Sequence, residues 1–125
     1  MILDTNALSA FVDGDSAVGD ILRTQARAVI PVIVLGEFRY GITGSRHRIH
    51  YERWLIQNLP QFETLNVTAD TAATYAAIRA ILKRAGTPIP ANDLWIAALA
   101  VEHELPVLSR DTHFDAVMNL QRVTW

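Results

Sequence analysis

Met1-Ile2-Leu3-Asp4-Thr5-Asn6-Ala7-Leu8 opens the chain, and the architecture is worked out from this stretch. Ile2 to Asp4 is an apolar run too short for anything but a strand, and Asp4, Thr5 and Asn6 are residue types that leave strands and cap helices. A short helix from Ala7 follows. Past a turn at Asp13-Gly14-Asp15, Val18, Ile21 and Leu22 recur at helical spacing, and Ala28-Val29-Ile30 makes a second apolar strand. Pro31 suits a first helical turn, so Pro31 to about Thr43 is expected to be a third helix, stopped by Gly41 and Gly44. Ser45 is placed to cap a fourth helix running to about Leu59, with Ile49, Trp54, Leu55 and Leu59 on its buried side.

Beyond Pro60 the alternation continues. Thr64 to Val67 is a weak strand, Thr68 opens an alanine-rich helix closed by Gly86, and Ala91 to about His103 is a helix dense in apolar residues. Pro106 to Ser109 then forms a buried strand, Arg110 to Asn119 a loop with a helical turn, and Val123 to Trp125 a last strand. Strands alternating with helices predict an α/β fold: a central parallel β-sheet flanked by helices on both faces, with right-handed crossovers. No repeat, low-complexity tract or linker divides residues 1–125, which are expected to form one domain.

The chain has 125 residues, half of them hydrophobic, enough for one sizeable core. It has no cysteine, which excludes disulfides and thiolate metal sites. The first acid follows three residues, leaving no room for a signal peptide, and Leu94 to Val101 is far short of the ~20 residues that span a bilayer. A cytoplasmic protein with no membrane association is expected. The net charge of −2 is unlike that of a protein held to nucleic acid by phosphate contacts alone. Basic residues are nevertheless crowded at Arg46, His47, Arg48, His50 and Arg53.

The acids carry the chemistry. Asp4 and Asp111 both stand where a buried strand ends, and ligand sites of open parallel sheets lie outside those ends. Taken singly, Asp4 serves equally as a helix N-cap and Asp111 as a turn residue. Asp93 lies just inside the helix after Pro90, where the helix dipole favours a carboxylate whatever its function. Glu37 interrupts an apolar helix on the face of Ile33 and Tyr40. Its neighbour Arg39 does not share that face, so a cation from elsewhere or a bound metal is expected to partner it. Four acids meeting at one end of a sheet repel each other, and divalent cations relieve the repulsion. Without cysteine or paired histidines, oxygen ligands favour Mg2+ or Mn2+ over zinc, and phosphodiester hydrolysis is the chemistry that follows.

At this point the chain resembles the PIN-domain nucleases, and more narrowly the VapC-type toxins of toxin–antitoxin pairs. The resemblance spans nearly the whole chain and rests on four blocks. They are Met-Ile-Leu-Asp-Thr-Asn at the start, Gly-Glu-Phe-Arg-Tyr-Gly around Glu37, Pro-Ile-Pro-Ala-Asn-Asp-Leu-Trp-Ile-Ala-Ala-Leu-Ala around Asp93, and Leu-Ser-Arg-Asp-Thr-His-Phe around Asp111. It implies that Asp4, Glu37, Asp93 and Asp111 are the catalytic, metal-holding quartet of an endoribonuclease. It also implies that Asn6 orients the carboxylates, that Thr5 and Ser109 are polar supports near the first and fourth acids, and that Phe114 anchors the last loop. Asp115 is placed outside the metal shell, in reach of it only through water.

The resemblance further implies an RNA substrate, a cognate VapB-type antitoxin that blocks the site, and a homodimer. Restriction to RNA comes from the resemblance and not from the chemistry. His113 lies near Asp111 and could protonate a leaving group, but a loop histidine without further support is more often a plain surface group. Two rivals are weaker. A receiver-like signalling domain needs adjacent acids after the first strand and a lysine after the last, whereas the only lysine here, Lys83, lies within a helix. A PIN-like module that binds RNA or a partner without cutting would be expected to have lost acids.

Overall fold

The computed structural model describes residues 1–125. Its elements run β1 (Ile2–Leu3), α1 (Thr5–Val12), α2 (Ser16–Arg23), β2 (Val29–Pro31), α3 (Val32–Ile42), α4 (Arg48–Asn58), β3 (Glu63–Leu65), α5 (Ala69–Ala85), α6 (Ala91–Glu102), β4 (Val107–Leu108) and β5 (Arg122–Val123). Short 3-10 turns occupy Leu59–Gln61 and Thr112–Ala116. All four strand pairings are parallel, in the order β3-β2-β1-β4-β5, and six helices flank the sheet. The expected α/β architecture is therefore present.

The order explains where a site can form. From β1 the chain moves outward through β2 to β3, then crosses to β4 and β5 on the other side. A crevice opens at such a reversal, beyond the carboxyl ends of the two central strands. Those strands are β1, which Asp4 follows, and β4, which Ser109 and Asp111 follow. They are locked in register by Ile2 opposite Val107 and Leu3 opposite Leu108. Each strand is only two or three residues long, and Asp4 lies one residue past β1 and Asp111 three residues past β4.

Burial holds these short strands. Ile2, Leu3, Val29, Ile30, Val107 and Leu108 are fully buried, and α6 buries Leu94 and the run Ile96 to Ala100. An α6 apolar on nearly every side is what a helix enclosed by other elements requires. Phe114, fully buried, ties the loop after β4 to the same core, as expected of the loop's anchor. Thr68 caps α5 in a reciprocal arrangement with Thr71, and Gly86 ends it at φ 73°, a left-handed conformation that glycine adopts without steric cost.

Two expectations about helix boundaries are corrected. Pro31 is the last residue of β2, paired with Leu65, and its extended backbone makes it the N-cap of α3. Ser45 does not cap α4; its Oγ accepts from the His47 amide within a tight turn, and the helix starts at Arg48. On α4 the buried side is Leu55, with Trp54 and Leu59 half-buried, while Ile49 is 75% exposed. The five basic residues Arg46, His47, Arg48, His50 and Arg53 are all exposed. No helix is long and apolar enough to cross a membrane.

Candidate active site

Asp4 is the centre of the site and is only 4% exposed. It caps α1, its Oδ1 accepting from the Thr5 amide at 2.6 Å. Oδ2 accepts from the Asn6 side-chain amide at 2.7 Å and from the Ser109 hydroxyl at 2.7 Å. Burial pushes the Asp4 carboxyl above its ordinary 3.8. The Ser109 and Thr5 hydrogen bonds oppose that rise, and the charges of Glu37 and Asp111 add to it.

Ser109 is fully buried at the end of β4 and spans two acids. While its hydroxyl donates to Asp4, its Oγ accepts from the Asp111 backbone amide at 2.9 Å. Asn6 makes a second crossing, since its Oδ1 accepts from the Arg110 amide at 3.1 Å. The loops after β1 and β4 are thus cross-linked by neutral hydrogen bonds around one carboxylate.

Glu37, half-buried on α3, receives Thr5 Oγ1 on Oε2 and the Asn92 side-chain amide on Oε1 at 2.8 Å. Its protein partners are therefore neutral, so of the two partners expected for it, a cation from elsewhere or a bound metal, no cationic side chain is present. Arg39 pairs instead with Glu52 at 2.7 Å, and Tyr40, which shares the Glu37 side of α3 by helical spacing, is 81% exposed with nothing packed over it. Thr5 supports the second acid through its hydroxyl and the first through its backbone.

Asp93, in the first turn of α6, and Asp111, capping the 3-10 turn, meet at His113. His113 Nδ1 lies 2.9 Å from Asp93 Oδ2 and 2.9 Å from Asp111 Oδ1. Burial raises the Asp93 pKa against the His113 hydrogen bond, and the charges of Asp111 and Asp4 raise it further. Hydrogen bonding to the accepting Asp93 carboxylate raises the His113 pKa, and Asp111 acts in the same direction. His113, although exposed, is thus the one basic side chain within hydrogen-bonding distance of these acids. Ligand atoms of Asp93, Asp111 and His113 fall within 4.8 Å of one another.

Among the ion pairs of the molecule, no lysine or arginine reaches any of these four acids. Asp115 is committed elsewhere, its two oxygens accepting from Arg122 at 2.7 and 2.9 Å. Arg122 in turn donates to the Ser109 carbonyl at 3.2 Å, so this pair braces the end of β4. Sequence reasoning missed Asn92 and the bridging place of His113. Asn92 adjoins Asp93 on the first turn of α6, yet only the docking of α6 beside α3 brings its amide to Glu37.

The model of the family described as "PIN domain" matches residues 1–120. The chain is 32% identical over 118 residues to a protein named Ribonuclease VapC5 from Mycobacterium tuberculosis, covering 93% of this chain and 86% of that one. Among solved structures, VapBC2 from Rickettsia felis, bound to a promoter DNA fragment, superposes with a TM-score of 0.90 at 25% identity over 99% of this chain and 97% of that one. FitAcB from Neisseria gonorrhoeae superposes with a TM-score of 0.85 at 30% identity over 97% and 94% of the two chains.

Proposed function

The chain belongs to the PIN-domain family and, within it, to the VapC type of ribonuclease toxin, and from that premise we propose a divalent-metal-dependent endoribonuclease whose quartet is Asp4, Glu37, Asp93 and Asp111. One observation carries this reading. Asp4 is near enough to Glu37, Asp93 and Asp111 for their charges to act on one another, no lysine or arginine pairs with any of the four, and the most buried, Asp4, has its pKa pushed up. Of the four, only Asp93 and Asp111, with His113, already stand at a common metal-ligand spacing. Such a site keeps an unmet demand for positive charge, and its oxygen donors suit Mg2+ or Mn2+.

Asp4, Glu37, Asp93 and Asp111 would hold the ion. When bound, it supplies a more acidic water and positive charge for the attacking and leaving oxygens of the phosphodiester. The chain's own residues prepare the site. Ser109 and Asn6 fix the Asp4 carboxylate, Thr5 and Asn92 fix Glu37, and His113 Nδ1 sits between Asp93 and Asp111. These contacts remove rotamer freedom from the acids before substrate arrives. The complete quartet and its supports give a non-cleaving binding module no favouring observation.

The relatives' names, as members of toxin–antitoxin pairs, support the reading of the partner. We assign the protein a VapB-type antitoxin that covers the acids, a cytoplasmic setting, a homodimeric state, and arrest of growth or translation when the antitoxin is lost. Hydrolysis by direct attack of water predicts cut ends bearing 5′ phosphate and 3′ hydroxyl groups. Ligation-based mapping of ends produced by the antitoxin-free protein tests this. Cyclic phosphate at the 3′ ends would instead implicate the 2′ hydroxyl as nucleophile and overturn it.

A further inference from the structure

Beside the quartet a cleft of about 330 Å3 runs between α1, α3 and α4, and no step of the proposed hydrolysis uses its outer part. Thr5 and Glu37 form its inner end, so it opens directly onto the acids. The half-buried Tyr51 supplies an aromatic wall, backed edge to face by the buried Phe38 ring with centroids 6.0 Å apart. At the outer end Asp13 offers an exposed carboxylate whose Oδ1 accepts from the Tyr51 hydroxyl at 2.9 Å. Gly41 leaves one side open, since a methyl added there would meet no atom within 4 Å.

The size lies within the ~300–1,000 Å3 typical of small-molecule sites. With Glu37 at one end and Asp13 at the other, the cleft repels phosphate and favours a neutral group carrying hydrogen-bond donors. Unstacked bases of single-stranded RNA are such groups, held by stacking on aromatic side chains and by bonds to their edges. Tyr51 orients Asp13 by donating to one oxygen, which leaves that oxygen a second lone pair and the other oxygen free. Among the four bases only guanine presents two adjacent donors, N1–H and N2–H2, on its pairing edge. Adenine and cytosine each set an acceptor beside their amino group, and uracil flanks its single N–H with two carbonyls.

We propose that this cleft seats the nucleobase next to the cut phosphate, and that Asp13, held by Tyr51, selects it as guanine. The proposal rests on the endoribonuclease reading for its substrate, but base recognition and hydrolysis use different residues and can be measured apart. The probes are guanosine, adenosine, cytidine and uridine, titrated into the metal-free, antitoxin-free protein in EDTA and followed by amide NMR shifts. Argininamide serves as a fifth probe, standing for a basic segment of a protein partner.

Guanosine is expected to shift the resonances of Tyr51 and Gly41 and to bind at least about tenfold more tightly than the other nucleosides, a gap of about 1.4 kcal/mol. Asp13→Asn is expected to lose the preference by replacing an acceptor with a donor. Gly41→Leu should lose binding by filling the cleft, and it exchanges glycine for a better helix former, so folding is kept. Tyr51→Phe should weaken the preference without filling anything. In RNA cut by the wild type, guanine is expected at one position flanking the cut, and the enrichment should vanish with Asp13→Asn.

Equal binding of the four nucleosides, a guanine preference untouched by Asp13→Asn and Gly41→Leu, or tighter binding of argininamide than guanosine in the same cleft would each overturn the proposal. Guanosine selectivity in a protein that cuts no RNA would uphold the base site while sinking the nuclease reading. RNA cutting with no base preference would do the reverse.

Discussion

The Ser109 hydroxyl donates to Asp4 Oδ2 at 2.7 Å across the two central strands, and the same Oγ accepts the Asp111 amide at 2.9 Å. One fully buried oxygen thereby sets the orientation of the first acid and the loop of the fourth. Ser109→Ala is expected to leave a buried carboxylate one donor short and an amide without its acceptor, at a cost of about 1–3 kcal/mol. Ser109→Thr should retain most of the stability and activity. Chemical denaturation and RNA cleavage assays of both variants check this, and equal behaviour of the two would contradict it.

Asn92 fixes Glu37 from the neighbouring helix without touching Asp93's carboxylate. Its replacement by alanine is expected to lower metal affinity or activity by roughly 10–100-fold, the usual effect of losing a group that orients a ligand. Folding should be nearly unchanged, because the Thr5 contact to Glu37 remains. Calorimetric titration with Mn2+ beside a thermal melt separates the two effects.

The raised pKa of Asp4 fixes the sign of a pH effect. The folded protein holds this proton more tightly than the unfolded chain, whose aspartate titrates near 3.8. The contribution to stability is therefore fully present below that value and is lost as pH rises through the raised folded pKa. Without metal, the wild type should lose stability relative to Asp4→Asn as pH rises above about 4. Saturating Mn2+ should abolish the loss in the wild type alone. Melting curves in EDTA and in Mn2+ measure this; parallel curves for the two proteins in EDTA would refute it.

Phe114 and Asp115 are adjacent but should differ sharply. Phe114→Ala removes a fully buried ring and is expected to cost about 3–5 kcal/mol. Asp115→Asn breaks an ion pair whose carboxylate is exposed, so its effect on stability should be small, with any loss of activity traced to the freed end of β4. Urea denaturation of the two variants provides the comparison.

The fold and the site differ in how far they could be read from residues. Short apolar runs, caps and glycine or proline stops place nearly every element, because those signals act within a few residues. Ser45 misleads because a serine before a helix can equally close a turn onto the His47 amide. Ile49 and Tyr40 mislead because periodicity assigns a face without saying whether anything covers it. Within the site, Asp4 and Asp111 are legible as acids after buried strands. The partners of Glu37 are not, since Thr5 and Asn92 lie 32 and 55 residues away and only folding makes them neighbours. His113 is similarly invisible until α6 brings Asp93 alongside.

The decisive experiment incubates total RNA with the purified, antitoxin-free protein in Mg2+, Mn2+ or EDTA, beside Asp4→Asn of matched folding. Cutting that requires a divalent ion and disappears in Asp4→Asn is the predicted result. Cutting that persists in EDTA or in Asp4→Asn, or calorimetry that finds no metal bound to the wild type, would contradict a metal-dependent nuclease built on these four acids.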